Sequence, residues 1–286
     1  MKRLITYVTV IDLIFLLMLV TEGSFENETV GSVLHVAAFL IPISLGLYLI
    51  KRARSTNSPV AHGMGDGMQK STQNGALTLG ISVRGVRLAL PVAIPTIAVT
   101  CLISYLTALA MEALGFANNV NISGHFALAI LVHALVPAIL EELLFRYIPL
   151  KLIGEIGGDT RRAVVLSSLM FALGHANLFQ IPYALAAGLA FAVCDLLCGS
   201  ILPSVAIHFL NNLISLLMIY GYATLPFYIS FGILLAASCI FLLLMRKSYY
   251  TGIKEIWVKK SSEGTAVVLT FIIPCAILAI SALGAA

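Results

Sequence analysis

Apolar runs of roughly 17 to 25 residues recur along the whole of this 286-residue chain, and each is long enough to cross about 30 Å of hydrocarbon as a helix. They are far too long for barrel strands, and lipid leaves a spanning backbone no other way to satisfy its amides. The runs lie near residues 1–20, 30–50, 87–110, 125–149, 163–178, 181–199, 201–220, 225–245 and 265–284. They predict an all-α, polytopic integral membrane protein of about nine transmembrane helices. Composition agrees: 10% of residues are charged, against about 25% in a soluble domain. Met1-Lys2-Arg3 and the following run resemble a signal peptide, but no Ala-x-Ala pattern follows, so the run reads as a first span.

Placing the N terminus in the cytoplasm puts all 17 Lys and Arg at the N terminus or in residues 51–87, 146–162 and 246–260. Cytoplasmic loops carry such an excess. The pattern predicts a cytoplasmic N terminus and an outside C terminus, and one span more or fewer would break it. Residues 51–85 have no apolar periodicity and read as a cytoplasmic loop. Their basic excess suits anionic lipid headgroups, and no nucleic-acid motif is present. Residues 246–260, with Ile253, Ile256 and Trp257 among basic residues, read either as an amphipathic helix on the inner leaflet or as a connecting loop. The expected organisation is N-terminal helices over 1–110, a core over 125–225 and C-terminal helices over 226–286.

Against this background the polar residues inside apolar runs carry the information. A charge in hydrocarbon costs about 3 kcal/mol on insertion scales, so Glu141, Glu142 and Arg146 in one run point to function. Glu142 and Arg146, at i and i+4, suit a salt bridge along one helix face. Glu141 lies about 100° away and is left to do chemistry, with Glu142 supporting or gating it. Phe171 with His175, and His208 with Asn212, repeat the i, i+4 spacing on later runs. At 1.5 Å per residue Glu141, His175 and His208 fall at similar depths, in a cavity expected to open toward the cytoplasm. Pro137 removes a helical donor one turn before Glu141 and predicts a kink.

A glutamate with a nearby imidazole can hold a water and remove its proton, while a second imidazole and an amide can donate to an oxyanion. That set hydrolyses an amide bond without a nucleophilic side chain. The same Glu and His residues, ligating a divalent metal, would generate hydroxide directly.

The motifs Glu141-Glu142-x-x-x-Arg146, Phe171-x-x-x-His175 and His208-x-x-x-Asn212 resemble those of the CAAX prenyl protease type 2 and bacteriocin-processing family of intramembrane endopeptidases, also described as abortive-infection proteins. Order and spacing agree over roughly residues 125–225. The resemblance implies that Glu141 and His175 activate water, that His208 and Asn212 stabilise the oxyanion, and that Arg146 is structural. It implies no obligatory cofactor, with a divalent metal as the alternative. The substrate would be a membrane-associated peptide, either a prenylated C-terminal peptide or a leader or signalling peptide. The expected location is a bacterial plasma membrane.

Two other classes fit the same residues. One is an ion-coupled transporter using Glu141, Glu142, His175 and His208 as a proton path, against which no inverted repeat or pair of broken helices is detected. The other is a non-enzymatic immunity or scaffold protein. Asn211, Asp12 and Asp195 read as interhelical contacts, with Asp195 also able to border the cavity; His133 lies nearer the outer surface or lines the cavity. The five cysteines fall in apolar runs without a metal or redox spacing and read as core residues.

Overall fold

Two helices and one turn must meet if the polar residues are to share a site, and the helix order brings them together. A computed structural model describes residues 2–21, 28–56, 83–116, 122, 125–155, 160–175 and 177–257. Its elements are α1 (Lys2–Thr21), α2 (Glu28–Thr56), α3 (Val83–Ala113), α4 (residues 126–155), α5 (Thr160–Leu173), α6 (Ile181–Cys198), α7 (Leu202–Ile219), α8 (Leu225–Leu244) and α9 (Arg246–Trp257). Among the described residues five segments are apolar and long enough to span a bilayer: Pro91–Ala113, Phe126–Leu152, Ile181–Cys198, Leu202–Ile219 and Leu225–Leu244. The described residues are thus all-helical, and the apolar spans make the chain an integral membrane protein.

Several boundaries differ from those predicted. The loop expected over 51–85 is narrower, because α2 continues through Lys51-Arg52 to Thr56 and α3 begins at Val83. Most of the predicted loop, and the run at 265–284, lie outside the described residues. The predicted span at 163–178 is shorter, since α5 ends at Leu173 and leaves His175 in the turn that follows. Residues 246–257 form a helix, as the amphipathic reading requires. Arg146 and Lys151 are buried inside the bundle, so they carry no weight in a count of loop charges.

Helix α4 is not a uniform α-helix. Its α-helical pieces Phe126–Ala129, Val136–Glu142 and Ile148–Glu155 are joined by π-helical turns at Ile130–Leu135 and Leu143–Tyr147. Each π-turn ends two residues before a proline, Pro137 or Pro149. A proline ring has no N–H and collides with the carbonyl four residues earlier, and widening the turn by one residue moves that carbonyl clear. The distortion predicted at Pro137 takes this form, and it recurs at Pro149.

Helix α6 lies behind the site, packed against α3, α5 and α7, while α7 also packs on α4. Helices α1 and α2 cover the last turns of α4. The largest apolar cluster joins Tyr7 and Ile11 of α1 to Leu144 and Ile148 of α4 and to Met170 and Phe171 of α5. Lipid supplies no hydrophobic force between helices, so close packing and interhelical hydrogen bonds must fix these contacts. Thr100 of α3 donates to the Asn211 side-chain oxygen at 2.7 Å. Asn211 therefore makes the interhelical contact expected of it.

Candidate active site

Glu141 is the last residue but one of the middle α-helical piece of α4, two residues before the second π-turn begins at Leu143. Its Oε2 lies 4.0 Å from His175 Nε2 and 3.9 Å from His208 Nε2. The side chains of Glu141 and His175 keep 17% and 19% of their surface, whereas His208 keeps 5% and Glu142 none. The cluster therefore has one accessible side, formed by Glu141 and His175, and one sealed side.

Hydrogen bonds fix both imidazoles. His175 Nδ1 lies 2.9 Å from the Phe171 carbonyl, one turn earlier. A carbonyl only accepts, so Nδ1 holds a hydrogen and Nε2 of the neutral ring is a lone pair aimed at Glu141. His208 Nδ1 lies 3.0 Å from Glu142 Oε1, and the same reasoning makes it a donor to that carboxylate. His208 can then donate through Nε2 only when both ring nitrogens carry hydrogen. The pairing of Glu142 with His208 across helices was not expected; the sequence pointed only to Arg146.

Arg146 and Glu142 are both wholly buried, and Nε sits 3.9 Å from Oε2. That distance makes an ion pair without a hydrogen bond, and neither Glu142 Oε2 nor Arg146 Nε and Nη2 has a hydrogen-bond partner. The guanidinium instead lies 4.2 Å over the Phe171 ring, and its Nη1 approaches the carbonyls of Phe145 and Ser167 at 3.4 Å. A cation over an aromatic face is attracted by the ring quadrupole, more strongly when water is excluded. Gly188 of α6 makes room for this head group, because a Cβ there would lie 2.8 Å from Arg146 Nη2.

Phe171 is the hub of the cluster. Its ring meets those of His175 and His208 edge to face, with centroids 5.0 and 5.5 Å apart. A wholly apolar ring thus holds two imidazoles and one guanidinium in fixed relation, a role larger than the packing beside His175 read from the i, i+4 spacing.

Asp195 is buried in α6 and accepts from the Ser204 amide at 3.2 Å and the Ser204 hydroxyl at 2.9 Å. It caps the first turn of α7, the helix that carries His208 one turn later, and so makes the expected interhelical contact. Asn212 is partly buried, one turn beyond His208 on α7; the structure gives it no hydrogen bond to the cluster. His133 is exposed on the first π-turn and takes no part in it. The side chain of Asp12 lies outside the described residues.

The structure thus brings together Glu141, Glu142, Arg146, His175 and His208. Among the described residues no three His, Cys, Asp or Glu side chains converge closely enough to hold a metal ion. Glu141 Oε2 and the lone pair on His175 Nε2, 4.0 Å apart, are instead two acceptors that one water can span.

No curated protein and no solved structure was found to match the chain. A family model does match, the Rce1-like family, described as type II CAAX prenyl endopeptidase Rce1-like, over residues 123–214. All five clustered side chains fall within it, and it takes in about a third of the chain. Residues 123–214 therefore match an Rce1-like domain, of the family that the three motifs resemble.

Proposed function

We propose that this chain is an intramembrane endopeptidase that hydrolyses a peptide bond in a membrane-associated peptide or lipidated protein, using water activated by Glu141 and His175. The Rce1-like family is a protease family, which supports a peptide hydrolase in outline. The observation that carries the mechanism is the convergence of two Nε2 atoms on Glu141 Oε2, at 4.0 and 3.9 Å.

In this mechanism one water spans Glu141 Oε2 and His175 Nε2 and donates a hydrogen to each. As its oxygen attacks the carbonyl carbon, Glu141 takes the proton and the carbonyl oxygen becomes an oxyanion. His208, carrying hydrogen on both nitrogens, donates through Nε2 to that oxygen. Glu142 at 3.0 Å and Glu141 at 3.9 Å offset the charge on its ring. Asn212 would add a second donor once substrate orders the site. Collapse of the tetrahedral intermediate breaks the C–N bond, and the proton held by Glu141 passes to the departing amine. Arg146 holds Glu142, and Glu142 holds His208.

No step is routed through a metal, because the Glu and His atoms do not close on one ion. The nine-span arrangement, with the N terminus in the cytoplasm and the cavity open on that side, belongs to the same proposal. The test is to reconstitute the full chain in liposomes with two sets of peptides, prenylated C-terminal peptides and leader peptides, and to identify products by mass spectrometry. Cleavage at one defined bond in either set, absent with Glu141→Gln, supports the reading and names the substrate class. Proton-coupled flux without substrate and without cleavage would replace it with a transporter.

A further inference from the structure

The second π-turn leaves one carbonyl stranded. In the π register the amide of Ile148 donates to the carbonyl of Leu143. The next residue that could serve the carbonyl of Leu144 is Pro149, which has no N–H. Leu144 is wholly buried, so water does not supply the missing donor. Tyr7 of α1, also wholly buried, donates its hydroxyl to that carbonyl at 2.7 Å. Its ring is seated over Gly46 of α2, where a Cβ would lie 2.7 Å from Tyr7 and 2.5 Å from Ile148.

We propose that Tyr7 is a positioning residue of the active site, one that holds the turn at Leu143–Tyr147 in its π register and so sets the rotation of the glutamates. The inference rests on the hydrolase reading for its effect on turnover. Without the hydroxyl, Leu144 regains a donor only by capturing the amide of Ile148, which turns the segment back to α geometry. A register change of one residue rotates one side of the turn against the other by about 100°. The piece from Ile148 onward is clamped by α1, α2 and α5, so the rotation falls on Glu141 and Glu142. The 3.0 Å bond from His208 to Glu142 is then lost. Tyr7 lies outside residues 123–214, so neither the motifs nor the family match points to it.

The test uses the full chain in liposomes, with Glu141→Gln as the inactive control. Tyr7→Phe should lower kcat about three- to tenfold, the shift in register that one interhelical hydrogen bond can hold, with KM unchanged. Pro149→Ala restores an N–H at position 149, so Tyr7→Phe in that background should cost no more than about twofold. Independently of turnover, the 15N–H signal of His208 Nδ1 should move in Tyr7→Phe and return in the double variant. An unmoved signal with unchanged kcat overturns the proposal, as does a loss of activity or of folded protein that Pro149→Ala does not relieve. If the natural sequence shows no Glu141-dependent cleavage, the hydrolase reading fails and the His208 signal alone decides the role of Tyr7.

Discussion

Replacing Glu142 with alanine should damage the fold rather than the chemistry alone. Glu142 and Arg146 are both wholly buried, their nearest charged atoms 3.9 Å apart, and Glu142 Oε1 takes the Nδ1 hydrogen of His208 at 3.0 Å. The variant leaves Arg146 with the Phe171 ring 4.2 Å away, carbonyls no closer than 3.4 Å and only the weaker pull of the Asp195 and Glu141 carboxylates. Removing one partner of a buried ion pair costs about 3 to 5 kcal/mol. An interhelical hydrogen bond in a membrane averages only about 0.6 kcal/mol, so the stranded charge dominates. At about 2 to 4 °C per kcal/mol for a chain of this size, the thermal midpoint should fall by about 6 to 20 °C. The assay is the fraction of monodisperse protein left in detergent after heating. Glu142→Met with Arg146→Met removes both charges at similar volume and should recover most of the loss, because an apolar pair of similar volume often matches a buried ion pair. A midpoint unchanged in Glu142→Ala, or a double variant no more stable than the single one, would refute this reasoning.

Other consequences follow from the same geometry. Gly188→Ala places a Cβ 2.8 Å from Arg146 Nη2 and 3.1 Å from Ser168 Cβ, and overpacking of this kind should cost about 1 to 3 kcal/mol in thermal or denaturant unfolding. Asn212→Ala should lower kcat by about 10² to 10³ if the amide donates to the oxyanion; a change confined to stability would return Asn212 to packing. Exhaustive chelation should leave cleavage intact, whereas loss that added zinc restores would contradict the metal-free mechanism.

The site was legible in the sequence because lipid makes polar residues costly. Glu141, Glu142, Arg146, His175 and His208 stand out in apolar runs, and i, i+4 spacing already put His208 near Asn212 and His175 near Phe171. What spacing along one helix does not contain is the rotation of one helix against another. For that reason the Glu142 to His208 bond, and Phe171 as the surface under Arg146, emerged only in three dimensions. Pro137 announced a distortion of α4, but its π form, and the matching turn ahead of Pro149, depend on which carbonyls other helices can satisfy. The run at 163–178 extends five residues beyond Leu173, but Gly174 and His175 lie in a turn that ends α5. Charge counting along the chain treated Arg146 and Lys151 as loop residues, and burial in the bundle is invisible to such a count.

The most direct test of the central claim is the rate of peptide cleavage by Glu141→Gln in liposomes, alongside its thermal midpoint. Glu141 keeps 17% of its side-chain surface and faces the two imidazoles at 4.0 and 3.9 Å without a hydrogen bond, and glutamine has the same shape, so the substitution should leave the midpoint nearly in place. General-base catalysis contributes about 10² to 10⁴ in rate, so cleavage should fall by at least that factor. Cleavage at the natural rate by a folded Glu141→Gln protein would contradict the account.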